Sequence, residues 1–453
     1  MRVLVVGAGI AGLAVAHQVK REAARRATAI ELDLYESGPR AGGRIRTMED
    51  SGYLVEEAAN AVLGLDGAAS RLADDLGLTG ERVVAAPDAA RRYVMTGGRL
   101  HLIPTSPAAL LGSRALSPRA KLRILAEPLL ARRGKTDESV HRFAARHLGR
   151  EAARTLVGAA VRGIFAGDST KLSVDAAFPI MREMERKRRS LVLAAARDRR
   201  PAGGRSLWSF RTGMGRLVRA LADSAGASLH LNAPVLSLER SGEGARSAWS
   251  ARLASGQLVQ AERVVIAAPP KAAGALLRRL DPEIARRLGG IATAGLAVVS
   301  LAFRPQAFRT APDGYGFLVA PGEPIEILGA LFESNLFPAR APEGRLLIRV
   351  MIGGAERPDL LTRSDADLVG LAMRGLDRAL GLASGPERTW VTRQEEAIPQ
   401  YEVGHRALLG AIATGLDALP GIHLAGNGYR GVSVGSLVED AERVAAGVFG
   451  GAL

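Results

Sequence analysis

Residues 3–44 constrain this chain more than any other stretch. An apolar run, Val3-Leu4-Val5-Val6, leads into Gly7-Ala-Gly9-Ile10-Ala11-Gly12, and a second run over residues 30–35 ends at Glu36, ahead of Arg40-x-Gly42-Gly43-Arg44. The first run reads as a buried parallel strand, and the glycines open the helix that follows. Gly7 permits the tight turn, Gly9 lets backbone approach a pyrophosphate, and Gly12 lets helix pack on strand. The helix start offers free N–H groups and a positive dipole end to phosphates. Glu36, closing the second strand, is placed to accept ribose hydroxyls. A nicotinamide-binding unit would run on into another strand–helix repeat. Here a glycine-rich loop bearing Arg40 follows at once, suited to bringing N–H groups and a cation to a flavin dinucleotide. Met1-Arg2, the apolar run and Ala14-Val15-Ala16 also mimic a secretory signal with its cleavage site. Cleavage there would delete the first strand and all three spaced glycines, so the dinucleotide reading is preferred.

A second signal lies near the far end. Gly421-Ile-His-Leu-Ala425-Gly426-Asn427 reads as a strand running into glycine, and residues 428–436 open a helix reaching about Gly447. That start would aim another positive dipole end at the electron-rich pyrimidine edge of a reduced flavin. Between the two ends, a helix over 217–224 and strands at 228–231, 234–238 and 264–268 read as a return to the nucleotide unit. Residues 291–410 carry strand-like runs at 297–303, 316–319 and 346–352 and a helix over 365–380, a mixed sheet suited to a substrate domain. The fold expected is α/β (α+β overall): a discontinuous Rossmann-like nucleotide domain at 1–75, 206–270 and 416–453, a substrate domain at 76–90 and 271–415, and a helical domain at 91–205.

Several function classes are excluded. The 453 residues include no cysteine, so disulfides and thiolate chemistry are absent, and the seven histidines form no ligand pair, so no metal is expected. The net charge of +15 calls for an anionic partner or surface, but aromatics at 4% and the lack of a stacking platform argue against nucleic acid. No apolar window reaches the roughly 18–20 residues of a spanning helix. Gly431-Val-Ser433-Val-Gly435 matches a nucleophile elbow, yet no histidine follows Ser433, which removes a serine hydrolase. Gly134-Lys135-Thr136 suggests a phosphate loop, but Leu129 stands where its first glycine belongs. Residues 91–126 hold no Asp or Glu while Arg91, Arg92, Arg99, Arg114, Arg119, Lys121 and Arg123 alternate with apolar side chains. Two readings of this block stay open: a helix in an anionic membrane interface, or an amphipathic helix packed on the body with its basic face solvated. A second helical block over 181–199 is mixed in charge and reads as solvated.

Gly7-x-Gly9-x-x-Gly12, Glu36-x-x-x-Arg40-x-Gly42-Gly43, Gly213-x-Gly215 and Gly426-Asn427 together resemble the flavin-containing amine oxidase superfamily. Within it, Arg92-Tyr93-Val94, Gly163-Ile-Phe-Ala-Gly167-Asp168, Ile398-Pro399-Gln400-Tyr401 and Gly426-Asn-x-Tyr429-x-Gly431-Val432 are similar to the oxygen-dependent protoporphyrinogen oxidases, over essentially the whole chain. The resemblance implies FAD, a tetrapyrrole substrate, and six-electron oxidation in three flavin cycles, each reoxidised by O2 to hydrogen peroxide. It implies a peripheral enzyme at the cytoplasmic face of a bacterial inner membrane, or in the cytoplasm, with the helical domain docking on the membrane; a homodimer stays open. By the same resemblance Arg92 pairs a substrate propionate, Leu318 and Met351 sandwich the macrocycle, and Asn60 and Gly163 lie at the reaction site. Gly7, Gly9, Ile10, Ala11, Gly12, Glu36, Ser37, Arg40, Gly42, Gly43, Arg44, Val235, Gly426, Val432, Ser433 and Val434 fall at cofactor positions. No histidine or carboxylate stands out as a general base. The chain departs from the family where Gly-Pro-Asn reads Ala58-Ala59-Asn60, where Gly-Val-Gly before Asn-Asp-Cys reads Gly431-Val-Ser433-Val-Gly435-Ser436, and where Gln394-Glu395-Glu396 replace an aromatic. Those departures leave coproporphyrinogen III, or another apolar substrate, as alternatives to protoporphyrinogen IX.

Overall fold

The central strand of the nucleotide unit, Arg2–Val6, is buried along four of its five residues because it is sandwiched on both faces. It pairs in parallel with Glu31–Tyr35 on one side and Arg263–Ile266 on the other, and Ile422–Leu424 and Leu229–His230 complete a five-stranded parallel sheet. The computed structural model describes residues 1–134, 136–197, 206–241 and 248–450; Lys135 and the expected boundary near 205 lie outside them. Three remote chain segments thus meet in one sheet, as the sequence implied. Helices Ile10–Arg25, Gly215–Ala225 and Val434–Val448 pack on one face through Leu13, Leu217 and Val438. A three-stranded antiparallel sheet, Val235–Ser241 with Ala248–Leu253 and Leu258–Ala261, covers the other face through Leu238, Trp249 and Val259.

The second body is a seven-stranded mixed sheet, ordered Arg388–Pro399, Thr293–Phe303, Leu346–Gly353, Ile327–Phe332, Gly316–Val319, Arg92–Thr96 and Arg99–Leu102. Its pairings are antiparallel except that of Gly316–Val319 with Arg92–Thr96. Side chains alternate across it, as the two-residue period of a strand requires. Val299, Leu301 and Phe303 pack under helix Asp365–Leu380, while Leu296 and Val298 join a separate cluster on the opposite face.

Two expectations fail in the helical region. The basic block at 91–126 does not begin as a helix: Arg92–Thr96 and Arg99–Leu102 form a hairpin in the large sheet, turned by Gly97 and Gly98 at φ +59° and +73°. Two consecutive positive φ values make the tight turn whose twist matches paired strands, and two glycines adopt it without strain. Helix starts only at Pro107–Gly112, Pro118–Leu125 and Glu127–Leu130. The block at 181–199 is neither continuous nor simply solvated. It breaks at Arg189 into Pro179–Arg188 and Leu191–Arg197, and Arg182 and Glu185 are buried.

Those charges tolerate burial because each has a partner. Arg182 is 2.6 Å from Glu185 and 3.0 Å from Asp175, and fully buried His147 lies 2.7 Å from Glu127 and 3.1 Å from Glu185. Burial alone would raise the Glu185 pKa. The Gly134 N–H, Arg182, Arg146 and His147 outweigh it and hold the carboxyl at about 2. Removing Glu185 takes one carboxylate from three buried or half-buried cations at once and leaves Arg182, Arg146 and His147 only Asp175, Glu138 and Glu127 as acidic partners. Glu185→Ala is therefore expected to cost about 3–5 kcal/mol, read as a lowered urea midpoint. Because the folded pKa lies below the ordinary value, Glu185 stabilises the fold above about pH 4.5 and loses that contribution as pH falls toward about 2.

Candidate active site

Between the two sheets lies a cavity of about 1230 Å3. One half is built by the nucleotide unit. Gly7 (φ +98°) turns the chain out of the first strand, and its N–H donates to the Tyr35 carbonyl at 2.7 Å. A Cβ on Gly12 would come within 1.8 Å of the Gly7 carbonyl oxygen, so only glycine allows the helix this close. Gly9 and Gly42 form a parallel bridge, and a Cβ on Gly43 would reach 3.0 Å from the Gly9 Cα. Helix Ile10–Arg25 has no side-chain cap at Gly9, leaving its first-turn N–H groups to whatever occupies the cavity. The Glu36 carboxylate accepts from the N–H groups of Ala8 and Gly38, both at 2.8 Å, and from the Ser37 hydroxyl at 3.1 Å. It braces the glycine turn as well as facing the cavity.

The other half is the open face of the mixed sheet. Leu318 and Met351 both pair with Gly329, from opposite sides, so all three share a sheet face. Gly329 has no side chain, so Leu318 Cδ2 leans to within 3.1 Å of where a Cβ would be, and Leu318 and Met351 line one slot of the cavity. Gly163 comes to this slot on helix Gly158–Phe165, where a Cβ would lie 2.6 Å from Leu318 Cδ2. At one corner Arg92 stacks its guanidinium 4.9 Å from the Tyr315 ring centroid. Arg92 has no acidic partner among the described residues; Asp313 pairs instead with its two neighbours in sequence, Arg91 at 2.7 Å and the Tyr93 hydroxyl at 2.9 Å, which the strand turns to the other face.

The wall brings together most of the residues singled out in the sequence: Gly7, Gly9, Ile10, Ala11, Glu36, Ser37, Gly42, Gly43, Arg44, Asn60, Arg92, Gly163, Val235, Leu318, Met351, Gly426, Val432 and Val434. Three are not part of it. Gly12 packs behind the glycine turn, and Arg40 is exposed on the loop outside. Ser433 caps helix Val434–Val448 instead, its hydroxyl accepting from the Ser436 N–H at 3.1 Å. Helix initiation claims that oxygen because serine is among the best N-cap residues.

Residues not picked out from sequence complete the polar corner. Arg349 shares a strand face with Met351, two positions on, and donates to the Ala58 carbonyl. Glu333 accepts from Asn60 Nδ2 at 3.3 Å and lies 3.7 Å from Arg349. The two-residue offset from Met351 was the available signal for Arg349. Nothing local marks Glu333, whose role depends on a contact 273 residues away in sequence. Burial raises the Tyr315 pKa, with Arg92 opposing, and lowers that of Arg44, with Glu396 opposing. Burial also raises Glu56, just behind the corner, to about 7 although Arg340 lies 3.1 Å away.

The flavin containing amine oxidoreductase family matches residues 10–449. The chain belongs to this family. Similar proteins include the protoporphyrinogen oxidase of Homo sapiens, 32% identical with 99% of this chain and 98% of that protein covered. The coproporphyrinogen III oxidase of Bacillus subtilis is 29% identical, with 96% and 95% covered. A crystal structure of an Exiguobacterium sp. 255-15 protein shares the fold with a TM-score of 0.85, at 23% identity and 99% and 98% coverage. The family's cofactor is FAD, and the glycine cradle, the uncapped helix start and Glu36 fit a dinucleotide. Gly12→Ala is expected to abolish FAD uptake, seen as loss of flavin absorbance per chain after incubation with excess FAD.

Proposed function

We propose that this flavoenzyme oxidises protoporphyrinogen IX to protoporphyrin IX with O2 as acceptor and H2O2 as product, in haem biosynthesis. The observation that carries the reading is Arg92, a guanidinium with no acidic partner among the described residues, at the polar corner of a slot walled by Leu318 and Met351. An unpaired cation beside apolar walls suits a flat hydrophobic ring bearing a carboxylate. Full-length relatives named for two porphyrinogens support the same class. Coproporphyrinogen III is the second reading, favoured by the Bacillus subtilis relative.

Bound FAD supplies a two-electron acceptor that O2 can restore after each cycle. The protein's contribution is placement. Arg92 anchors the substrate by one carboxylate, and Leu318 and Met351 hold the ring from its two sides across Gly329. Gly163 keeps the opposing helix low enough to leave the slot open. Apolar walls exclude water, and the Glu333 carboxylate fixes the Asn60 amide so that its oxygen is free to face the cavity. Gly9, Ile10 and Ala11 would present N–H groups to the cofactor phosphates at the turn that Gly7 makes, with Glu36, Ser37, Gly42, Gly43 and Arg44 beside them. Val235, Gly426, Val432 and Val434 close the cofactor half.

Among the described residues no helix is long and apolar enough to cross a membrane. Leu111, Leu122 and Leu129 are nevertheless exposed, Leu129 at 89%, on short helices that also carry Arg119 and Lys121. Apolar side chains beside cations are the composition of an interfacial anchor, and peripheral docking on an anionic membrane, the cytoplasmic face of a bacterial inner membrane, is part of this proposal.

Aerobic turnover of protoporphyrinogen IX beside coproporphyrinogen III, followed by porphyrin fluorescence and peroxide, tests the reaction; flavin-loaded protein that turns over neither would sink it. Arg92→Ala is expected to raise KM about tenfold or more while flavin content stays unchanged. Vesicles containing anionic lipid should retain the protein where neutral vesicles do not, and Leu122→Asp with Leu129→Asp should release it. Equal binding to both vesicle types would remove the electrostatic part of the docking proposal.

A further inference from the structure

The cofactor half and the substrate half of the cavity belong to different bodies, and something must fix the distance between them. The cofactor side ends in the segment 425–433, which contains no helix or strand, yet Gly426, Asn427 and Val432 form part of the wall. The substrate side ends at helix Gly158–Phe165, which carries Gly163. Two adjacent side chains at the end of strand Arg388–Pro399 touch both. Gln400 Nε2 donates to the Phe165 carbonyl at 2.9 Å, at the last residue of that helix. The Tyr401 hydroxyl donates to the Asn427 carbonyl and accepts from the Gly431 N–H at 2.9 Å, so one oxygen satisfies two backbone groups of the cofactor segment. Tyr401 is itself immobilised. It is 1% exposed, its ring stacks on His405 at 4.3 Å and meets Phe165 edge-on at 5.9 Å, and its carbonyl accepts from the Ser173 N–H at 2.7 Å.

We propose that Tyr401, seconded by Gln400, is a positioning residue that sets the spacing between the flavin-side segment 426–432 and the substrate-facing helix. The inference rests on the reading of the cavity as a flavin site, but not on which substrate fills it. Neither side chain lines the cavity, so neither is a catalytic residue. Gly431 is at φ +113°, in a conformation that the segment has no regular hydrogen-bond ladder to hold. Without the hydroxyl, Asn427 and Gly431 would each keep a polar group with no partner, and the segment would be free to settle elsewhere.

Tyr401→Phe removes that single oxygen and leaves the ring contacts. The control is Tyr429→Phe, the same chemical change in the same segment, because the buried Tyr429 hydroxyl has no hydrogen-bond partner among the described residues. The expected result for Tyr401→Phe is about tenfold weaker retention of FAD on dilution, a shifted flavin absorption band, and a fall in kcat that exceeds any change in KM. Tyr429→Phe should match the parent in all three. A Tyr401→Phe protein whose flavin spectrum and FAD retention equal the parent's, with only its melting temperature lowered, would make the residue merely structural and overturn the proposal. So would equal effects of the two variants. Should Tyr401→Phe fail to fold, amide exchange in the FAD-loaded parent decides: Gly431 must be protected although it lies outside any helix or strand, and a freely exchanging Gly431 amide overturns the inference. FAD retention is read without porphyrinogen, so failure of the substrate assignment and failure of this proposal are separate outcomes.

Discussion

The parallel pairing of Arg2–Val6 with strands on both sides is the contact on which everything else depends. Its neighbours come from residues 31–35 and 263–266, and the next strand from 422–424. Parallel strands cannot be joined by a tight turn, so each return to this sheet follows a long excursion. The two longest excursions, over 36–228 and 267–421, carry the helical region and the substrate sheet, and both leave from the same end of the parallel sheet as the glycine turn. The cavity forms where they meet. Strand ends there point their loops at one place, the usual location of a ligand on an open parallel sheet.

Much of this was legible because local chemistry and tertiary role coincide. Gly7, Gly9 and Gly12 are required by contacts within a few residues, and the helix over Asp365–Leu380 was readable from its periodicity to the residue. At the start of the basic block at 91–126 the turn signal of Gly97-Gly98 is masked by the charge pattern around it. The mixed charge of 181–199 points to solvent, but charge marks exposure only where no buried partner answers it. Arg182 and Glu185 pair with each other one turn apart, and their burial also draws on partners on other elements, Asp175, Gly134, Arg146 and His147 among them. No pattern along the chain encodes such a network.

The same division runs through the site. Arg92, Leu318 and Met351 carry no local signature beyond the family resemblance, but the sheet register sets the two apolar residues on one face: both lie beside Gly329. Glu333 and Arg349 have no local signature, yet they brace Asn60 and Ala58 across the boundary between the two bodies. At Ala59 the family pattern has proline, whose ring would stiffen this segment from within. Here a buried ion pair grips the segment from outside, a different solution to the same conformational problem.

Met351 carries a consequence of another kind. The chain contains no cysteine, and among the residues lining the cavity Met351 alone bears sulfur. An oxidase of the proposed type releases peroxide into the space this thioether borders. Conversion to the sulfoxide would place a polar, chiral S=O group in one jaw of the apolar slot. Under the proposed function, the residue beside the ring would also record how often the enzyme has worked, so wear in this protein would begin at the substrate slot and leave the cofactor cradle intact.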